Sequence, residues 1–277
     1  MNNKTPLSAT GGFMVVNVYL VAYFLIYKIG GSNSALIDAW ALANPIITGL
    51  AASVAAFLAF RTGPAQQRPM WLLLFAGLGL WTCAEGLWAV QALAGNELPY
   101  PSFADVLWLV GYLPVGAAIE MQIRQSRSRL NWIKYAAAVA LGGGLTVLAG
   151  RAVVVPMIGN FAIGRGLEQV LNILYPVLDA TLFAGGVLAV LGADWRNGWQ
   201  PWLLIGGALI LWSYSDVCFS VLSAARVYGN NWFSAMAVDI PYNLAYLITG
   251  LGCLQAVTIT RQVAVRVAHS VPGAVSH

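Results

Sequence analysis

Residues 71–90 read WLLLFAGLGLWTCAEGLWAV, and residues 202–221 read WLLIGGALILWSYSDVCFSV. Each run carries a single formal charge, Glu85 in the first and Asp216 in the second. Twenty residues at about 1.5 Å each cover the roughly 30 Å hydrocarbon core of a bilayer. Each run therefore reads as a membrane-crossing helix. The two runs also match each other. A shift of 131 lays Trp71-Leu72-Leu73 on Trp202-Leu203-Leu204, Leu78, Leu80 and Trp81 on Leu209, Leu211 and Trp212, Glu85 on Asp216, and Trp88 on Phe219.

Working outward, the whole chain has the same character. Of its 277 residues 59% are hydrophobic and only 9% charged, with mean hydropathy +0.73. A soluble domain carries about 25% charged residues. A chain this poor in charge cannot cover a water-facing surface, which excludes a soluble enzyme. Its high hydrophobicity and net charge of +4 exclude disorder. Eight apolar segments are long enough to span, near 12–29, 38–60, 70–94, 103–123, 132–150, 169–193, 200–226 and 235–259. The expected fold is an all-α polytopic membrane bundle of about eight transmembrane helices. The first segment sits where a signal peptide would, but its flank carries only Lys4 and no convincing cleavage site, so it reads as an uncleaved span.

The shift of 131 extends beyond the opening pair. It brings Pro45 onto Pro176, and with three more residues in the second copy it brings Asp105, Trp108, Tyr112 and Gly116 onto Asp239, Tyr242, Tyr246 and Gly250. Matches among Trp, Pro and acids are not the common coin of apolar helices. The expectation is one bundle over 1–259, built from a repeat at about 12–123 and another at about 132–259, with a tail at 260–277. Four spans per unit give both units the same direction, related by an axis along the membrane normal, and sites form where such units meet.

Basic residues set the sidedness. With both termini inside, the inner segments hold ten of them (Lys4, Arg61, Arg68, Arg124, Arg127, Arg129, Lys134, Arg196, Arg261, Arg266) and the outer segments four (Lys28, Arg151, Arg165, Arg226). That bias predicts both termini on the cytoplasmic side. The pI near 9.0 thus reports topology, and with no basic cluster it gives no reason to expect a nucleic-acid partner.

The acids lie the other way. Eight of ten, all but Glu120 and Asp194, fall on outer loops or in the outer half of a span. Glu85 sits about 13 Å inside the outer end of span three, and Asp179 and Asp216 at similar depth. A mid-membrane carboxylate costs about 2.5–3.5 kcal/mol on insertion scales, so these groups should face the bundle interior or a wet cavity. Each has aromatic residues at helical spacing: Trp81 and Trp88 with Glu85, Trp108 and Tyr112 with Asp105, Tyr175 with Asp179, Trp212 with Asp216, and Tyr242 with Asp239. One reading is an outward-facing pocket of carboxylates and rings that takes a cationic or amphipathic small molecule through charge pairing and cation–π contact. The plainer reading pairs the acids with Arg151, Arg165 or Arg226, or with Tyr and Trp donors, and locks helices together. A proton or ion path is a third, for which Gly142-Gly143-Gly144 and Pro176 are the candidate helix breaks. Ser102 with Asp105 also fits a capping box at the start of span four.

No GxSxG, HExxH, P-loop or GxGxxG motif occurs, which argues against an enzyme. Cys83, Cys218 and Cys253 lie singly in apolar runs and read as small core residues. With His269 and His277 both in the tail, no metal or haem set is expected, and no cofactor. Many Trp, namely Trp40, Trp71, Trp132, Trp195, Trp199, Trp202 and Trp232, stand near span ends, where an interfacial belt accounts for them.

Taken in order, Trp81-x3-Glu85-x2-Trp88, Pro101-Ser102-x-Ala104-Asp105-x2-Trp108-Leu109-x2-Tyr112, Tyr175-Pro176-x-Leu178-Asp179, then Asp216 and Tyr228-Gly229 resemble a known module. It is the multi-span integral-membrane sensor at the N-terminus of many bacterial GGDEF and EAL signalling proteins. The resemblance covers roughly residues 70–255. It implies a membrane input region of the bacterial cytoplasmic membrane, with Glu85, Asp105, Asp179 and Asp216 as candidate sensing residues. Only residues 260–277 follow span eight, without a GGDEF, EAL or kinase sequence, so cyclase or phosphodiesterase activity is not implied. The expectation is a non-enzymatic sensor-like protein that binds a small molecule or lipid and acts through a protein partner. A structural subunit of a larger membrane complex and a transporter are the alternatives.

Overall fold

The computed structural model describes residues 9–31, 34–95, 100–151, 166–194, 200–229 and 231–270. Lys4, Arg165, Trp195, Arg196, Trp199 and His277, named above, lie outside the described residues, as does Glu97 among the outer acids.

The chain is all-α. Its helices are α1 (Ala9–Gly30), α2 (Ser34–Thr62), α3 (Arg68–Leu93), α4 (Phe103–Gln125), α5 (Trp132–Ala149), α6 (Gly166–Leu191), α7 (Pro201–Ala224) and α8 (Ile240–Ser270). A helical turn at Trp232–Ser234 and a π-helical turn at Ala235–Asp239 lead into α8 without a gap. Seven of the eight are long and apolar enough to cross a membrane, whereas the apolar stretch of α1 is the shorter Met14–Gly30. Local chemistry sets the starts. Pro69 and Pro201 occupy the first turns of α3 and α7, where a missing N–H costs nothing. Asn131 caps α5 by accepting from the Lys134 N–H at 3.1 Å. The Ser102–Asp105 capping box forms, with the Ser102 N–H donating to Asp105 Oδ2 at 2.7 Å.

Six helices close a ring in which α2 packs on α3, α3 on α4, α4 on α6, α6 on α7, α7 on α8 and α8 on α2. Helix α1 lies outside against α2 and α8, and α5 lies outside against α6 and α7. Across the ring, α3 faces α7 through paired tryptophans. Trp71 stacks on Trp202 with ring centroids 5.7 Å apart, and Trp81 meets Trp212 edge to face at 5.1 Å. Glycines set the closest helix approaches. A Cβ on Gly77 in α3 would stand 3.0 Å from the Gly111 carbonyl oxygen of α4, and one on Gly186 in α6 would stand 2.7 Å from the Gly206 carbonyl oxygen of α7.

Several expectations need correction. Trp71 and Trp202 are not belt residues: both are buried in the core, because they pack on each other across the ring rather than reaching an interface. Trp132 and Trp232 are exposed, as a belt requires. Cys83 faces outward from α3, and only Cys253 is buried. Neither candidate break is one. Helix α6 runs through Pro176 and α5 through Gly142–Gly144. The irregular turn falls instead at Ala235–Asp239, and π turns of this kind recur at functional sites.

Candidate functional site

The site grows from α3. Glu85 lies one turn beyond Trp81, so its side chain enters the same space between helices. Its Oε1 accepts from the Tyr242 hydroxyl of α8 at 2.6 Å and from the Trp108 indole of α4 at 3.3 Å. Trp108 and Tyr242 are the residues that the sequence match places in corresponding positions. One carboxylate oxygen thus collects an equivalent donor from each half of the chain.

Asp179 is fixed from three sides. The Tyr112 hydroxyl donates to its Oδ1 at 2.5 Å, the Ser213 hydroxyl of α7 donates to its backbone oxygen at 2.8 Å, and the Asp216 side chain lies within electrostatic reach of it. Asp216 also lies within electrostatic reach of Glu85. Glu85, Asp179 and Asp216, from α3, α6 and α7, therefore form one cluster. Around it the rings of Trp81, Tyr112, Trp212, Tyr246 and Tyr242 make a continuous run of edge contacts, with centroids between 4.6 and 5.5 Å apart. Glu85 and Asp179 are 8% and 2% exposed and so are buried, whereas Asp216 is partly exposed.

The other two acids sit apart. Asp105 caps α4 and also accepts from the Tyr175 hydroxyl of α6 at 2.9 Å, which makes it a helix-to-helix tie as well as a cap. Asp239, in the π turn, accepts from the Tyr228 hydroxyl at 2.8 Å. Tyr228 lies in the loop after α7. Burial first, then the Asp239 carboxylate beside it, holds its phenol above the ordinary tyrosine range. Trp88 is half-buried and stands outside these contacts.

Of the expected site residues, the structure brings together Trp81, Glu85, Trp108, Tyr112, Asp179, Trp212, Asp216 and Tyr242. Asp105 with Tyr175, and Asp239, form separate ties, and Trp88 joins none. The arginine pairing does not occur among the described residues. Their ion pairs are Arg124 with Glu120 and Arg129 with Asp194, and the clustered acids take Tyr and Trp donors instead.

Sequence reasoning passed over Ser213, and it quoted Tyr246 and Tyr228 in its matches without placing them in the site. Tyr246 was signalled by its match to Tyr112. Ser213 stands next to Trp212, but its hydroxyl bridges to the backbone of another helix, which spacing within one helix cannot show. Also missed was the polar tie from the Thr48 hydroxyl of α2 to Asn243 Oδ1 of α8, 2.9 Å long.

Two hollows lie elsewhere. An apolar groove of about 440 Å³ between α6, α7 and α8 is lined by Phe183, Leu203, Gly207, Leu211, Tyr214 and Ile248 among others. A second, of about 400 Å³, is lined by Phe60, Arg61 and Arg68. Neither touches the acids. Among the described residues no group of three or more His, Cys, Asp or Glu could hold a metal ion. No protein-family model matches the chain, and neither the curated proteins nor the solved structures contain a match to it.

Proposed function

We propose that this chain is a non-enzymatic, sensor-like protein of a bacterial cytoplasmic membrane that binds an organic cation at Glu85, Asp179 and Asp216. It acts through a separate protein partner, with both termini on the cytoplasmic side, the side favoured by the ten-to-four bias of basic residues. The observation that carries the reading is that Asp216 stands within electrostatic reach of both Asp179 and Glu85, on three helices beside a run of aromatic rings, while the arginines of the described ion pairs sit elsewhere. Acids at this depth are costly unless a countercharge or a proton accompanies them. An ammonium group supplies the countercharge, and the faces of Trp81, Trp212 and Tyr246 add cation–π attraction of about 0.5–2 kcal/mol. Asp216 is partly exposed, whereas reaching Glu85 requires displacement of Tyr242, which would separate α8 from α3. That motion is the means by which a partner at the inner face reads the site.

The test is ligand-dependent thermal stability of the purified chain in lipid nanodiscs. Tetramethylammonium and longer alkyl ammonium ions should raise the melting temperature, and Glu85→Gln with Asp216→Asn should abolish the rise. A specific observation favours a second reading, a structural subunit: Glu85, Asp105 and Asp179 all accept Tyr hydroxyls that tie one helix to another. On that reading the amide variants lower the melting temperature and no cation raises it, and gentle-detergent purification returns a partner in fixed stoichiometry.

A further inference from the structure

Trp81 and Trp212 hold corresponding positions and differ in one respect. The Trp81 indole N–H donates to the Trp108 backbone oxygen at 2.9 Å. It comes that close because residue 111 is glycine: a Cβ there would stand 2.4 Å from both Cδ1 and Nε1 of Trp81. The corresponding residue in the second half is Ala245, which is fully buried in the same core. Its methyl group bars Trp212 from the position that Trp81 takes. The Trp212 Nε1 is buried, the residue is 2% exposed, and this N–H has no acceptor among the described residues.

A buried donor without an acceptor has lost its water and gained nothing in return, so it destabilises the fold until a partner arrives. This one sits in the cluster already described. The Trp212 ring touches Trp81 and Tyr246, and Asp216 follows it by one helical turn. Indole nitrogen only donates, and the neighbouring Glu85 and Asp179 already accept from Tyr and Trp donors.

We propose that Trp212 is the hydrogen-bond donor of the binding site, and that its ligand is an ammonium compound bearing an acceptor oxygen near the charged nitrogen, as in an amino alcohol. The acids take the charge and the indole takes the oxygen. A site built this way rejects an analogue that lacks the oxygen, because the donor is then left unpaired. This inference rests on the cation site of the previous section.

Choline and propyltrimethylammonium differ only by a hydroxyl in place of a methyl, and serve as the probes. Titrated against the full chain in nanodiscs, choline should bind about tenfold tighter, the equivalent of one good hydrogen bond. Trp212→Phe weakens the cation–π face for both probes alike and should erase the preference, so that choline and propyltrimethylammonium bind this variant within about twofold of each other. Ala245→Gly should also erase it with the indole intact, because the N–H can then reach the Tyr242 carbonyl as Trp81 reaches that of Trp108. Equal affinities in the wild type, or a preference that survives both variants, overturn the donor role while leaving the cation site standing. Binding of neither probe overturns both.

Discussion

Trp81 and Trp212, 131 residues apart in sequence, meet edge to face with ring centroids 5.1 Å apart and planes at 80°. Trp71 and Trp202, separated by the same interval, stack 5.7 Å apart. Equivalent residues touch each other only near a two-fold axis, as in an isologous dimer interface. Such self-matching contacts are what an axis between two parallel repeats produces. They bring α3 and α7 face to face, with Glu85 and Asp216 one turn beyond Trp81 and Trp212.

The convergence of Trp108 and Tyr242 on one oxygen of Glu85 is testable by stability. Tyr242→Phe leaves the carboxylate with the longer, weaker bond from Trp108. Hydrogen bonds inside membrane bundles are worth about 0.5–2 kcal/mol. We expect Tyr242→Phe to lower unfolding free energy by that amount and Trp108→Phe by less, measured by denaturant titration in mixed micelles.

Gly111 offers a steric test. An alanine there drives a methyl group 2.4 Å from the Trp81 indole. Overpacking of this kind costs about 1–3 kcal/mol. Gly79→Ala, on the same helix pair but with no atom within 4 Å of the new Cβ, should be neutral or slightly stabilising. Melting temperatures of the two variants in one detergent make the comparison.

Much of the fold was legible in the sequence because lipid imposes a single long apolar run per helix, and charge is visible against it. The match at 131 was legible because Trp, Pro and acids are rare letters in such runs. The partners within the site were less so. Spacing placed Glu85 beside Trp81 and Asp216 beside Trp212, but which donor meets which acid depends on how helices cross. Hence Tyr112 proved to bind Asp179 rather than its helix neighbour Asp105. Trp71 and Trp202 looked interfacial because position near a span end is visible, whereas contact across the ring is not. The turn at Ala235–Asp239 holds no proline or glycine, and its one signal is Pro241 two residues on, which removes a helical N–H and crowds the preceding turn.

Trp71 and Trp202 should behave as one unit. Truncating either to alanine removes a buried ring and costs about 3–5 kcal/mol. Because each loses the same stacked contact, the double variant should fall short of the sum by about 0.5–3 kcal/mol. Strict additivity in a double-mutant cycle would mean that the rings do not support each other.

Tyr112 and Asp179 should couple in the same way across α4 and α6. Tyr112→Phe removes the donor, and Asp179→Asn replaces the carboxyl that also lies within electrostatic reach of Asp216. We expect Asp179→Asn to be the more costly of the two, because it disturbs both contacts, and the cycle to show a coupling of about 0.5–3 kcal/mol. Chemical denaturation of the four proteins supplies the numbers.

The most direct measurement is a dipolar-recoupling solid-state NMR experiment on the chain in lipid, with 15N-labelled propyltrimethylammonium and 13C-labelled Asp and Glu carboxyl groups. A cation site predicts dephasing of the Glu85, Asp179 and Asp216 carboxyl signals by the bound nitrogen, lost in the Glu85→Gln and Asp216→Asn double variant. Unchanged signals from all three carboxyl groups at saturating ammonium would contradict it, and would leave these acids as ties between helices.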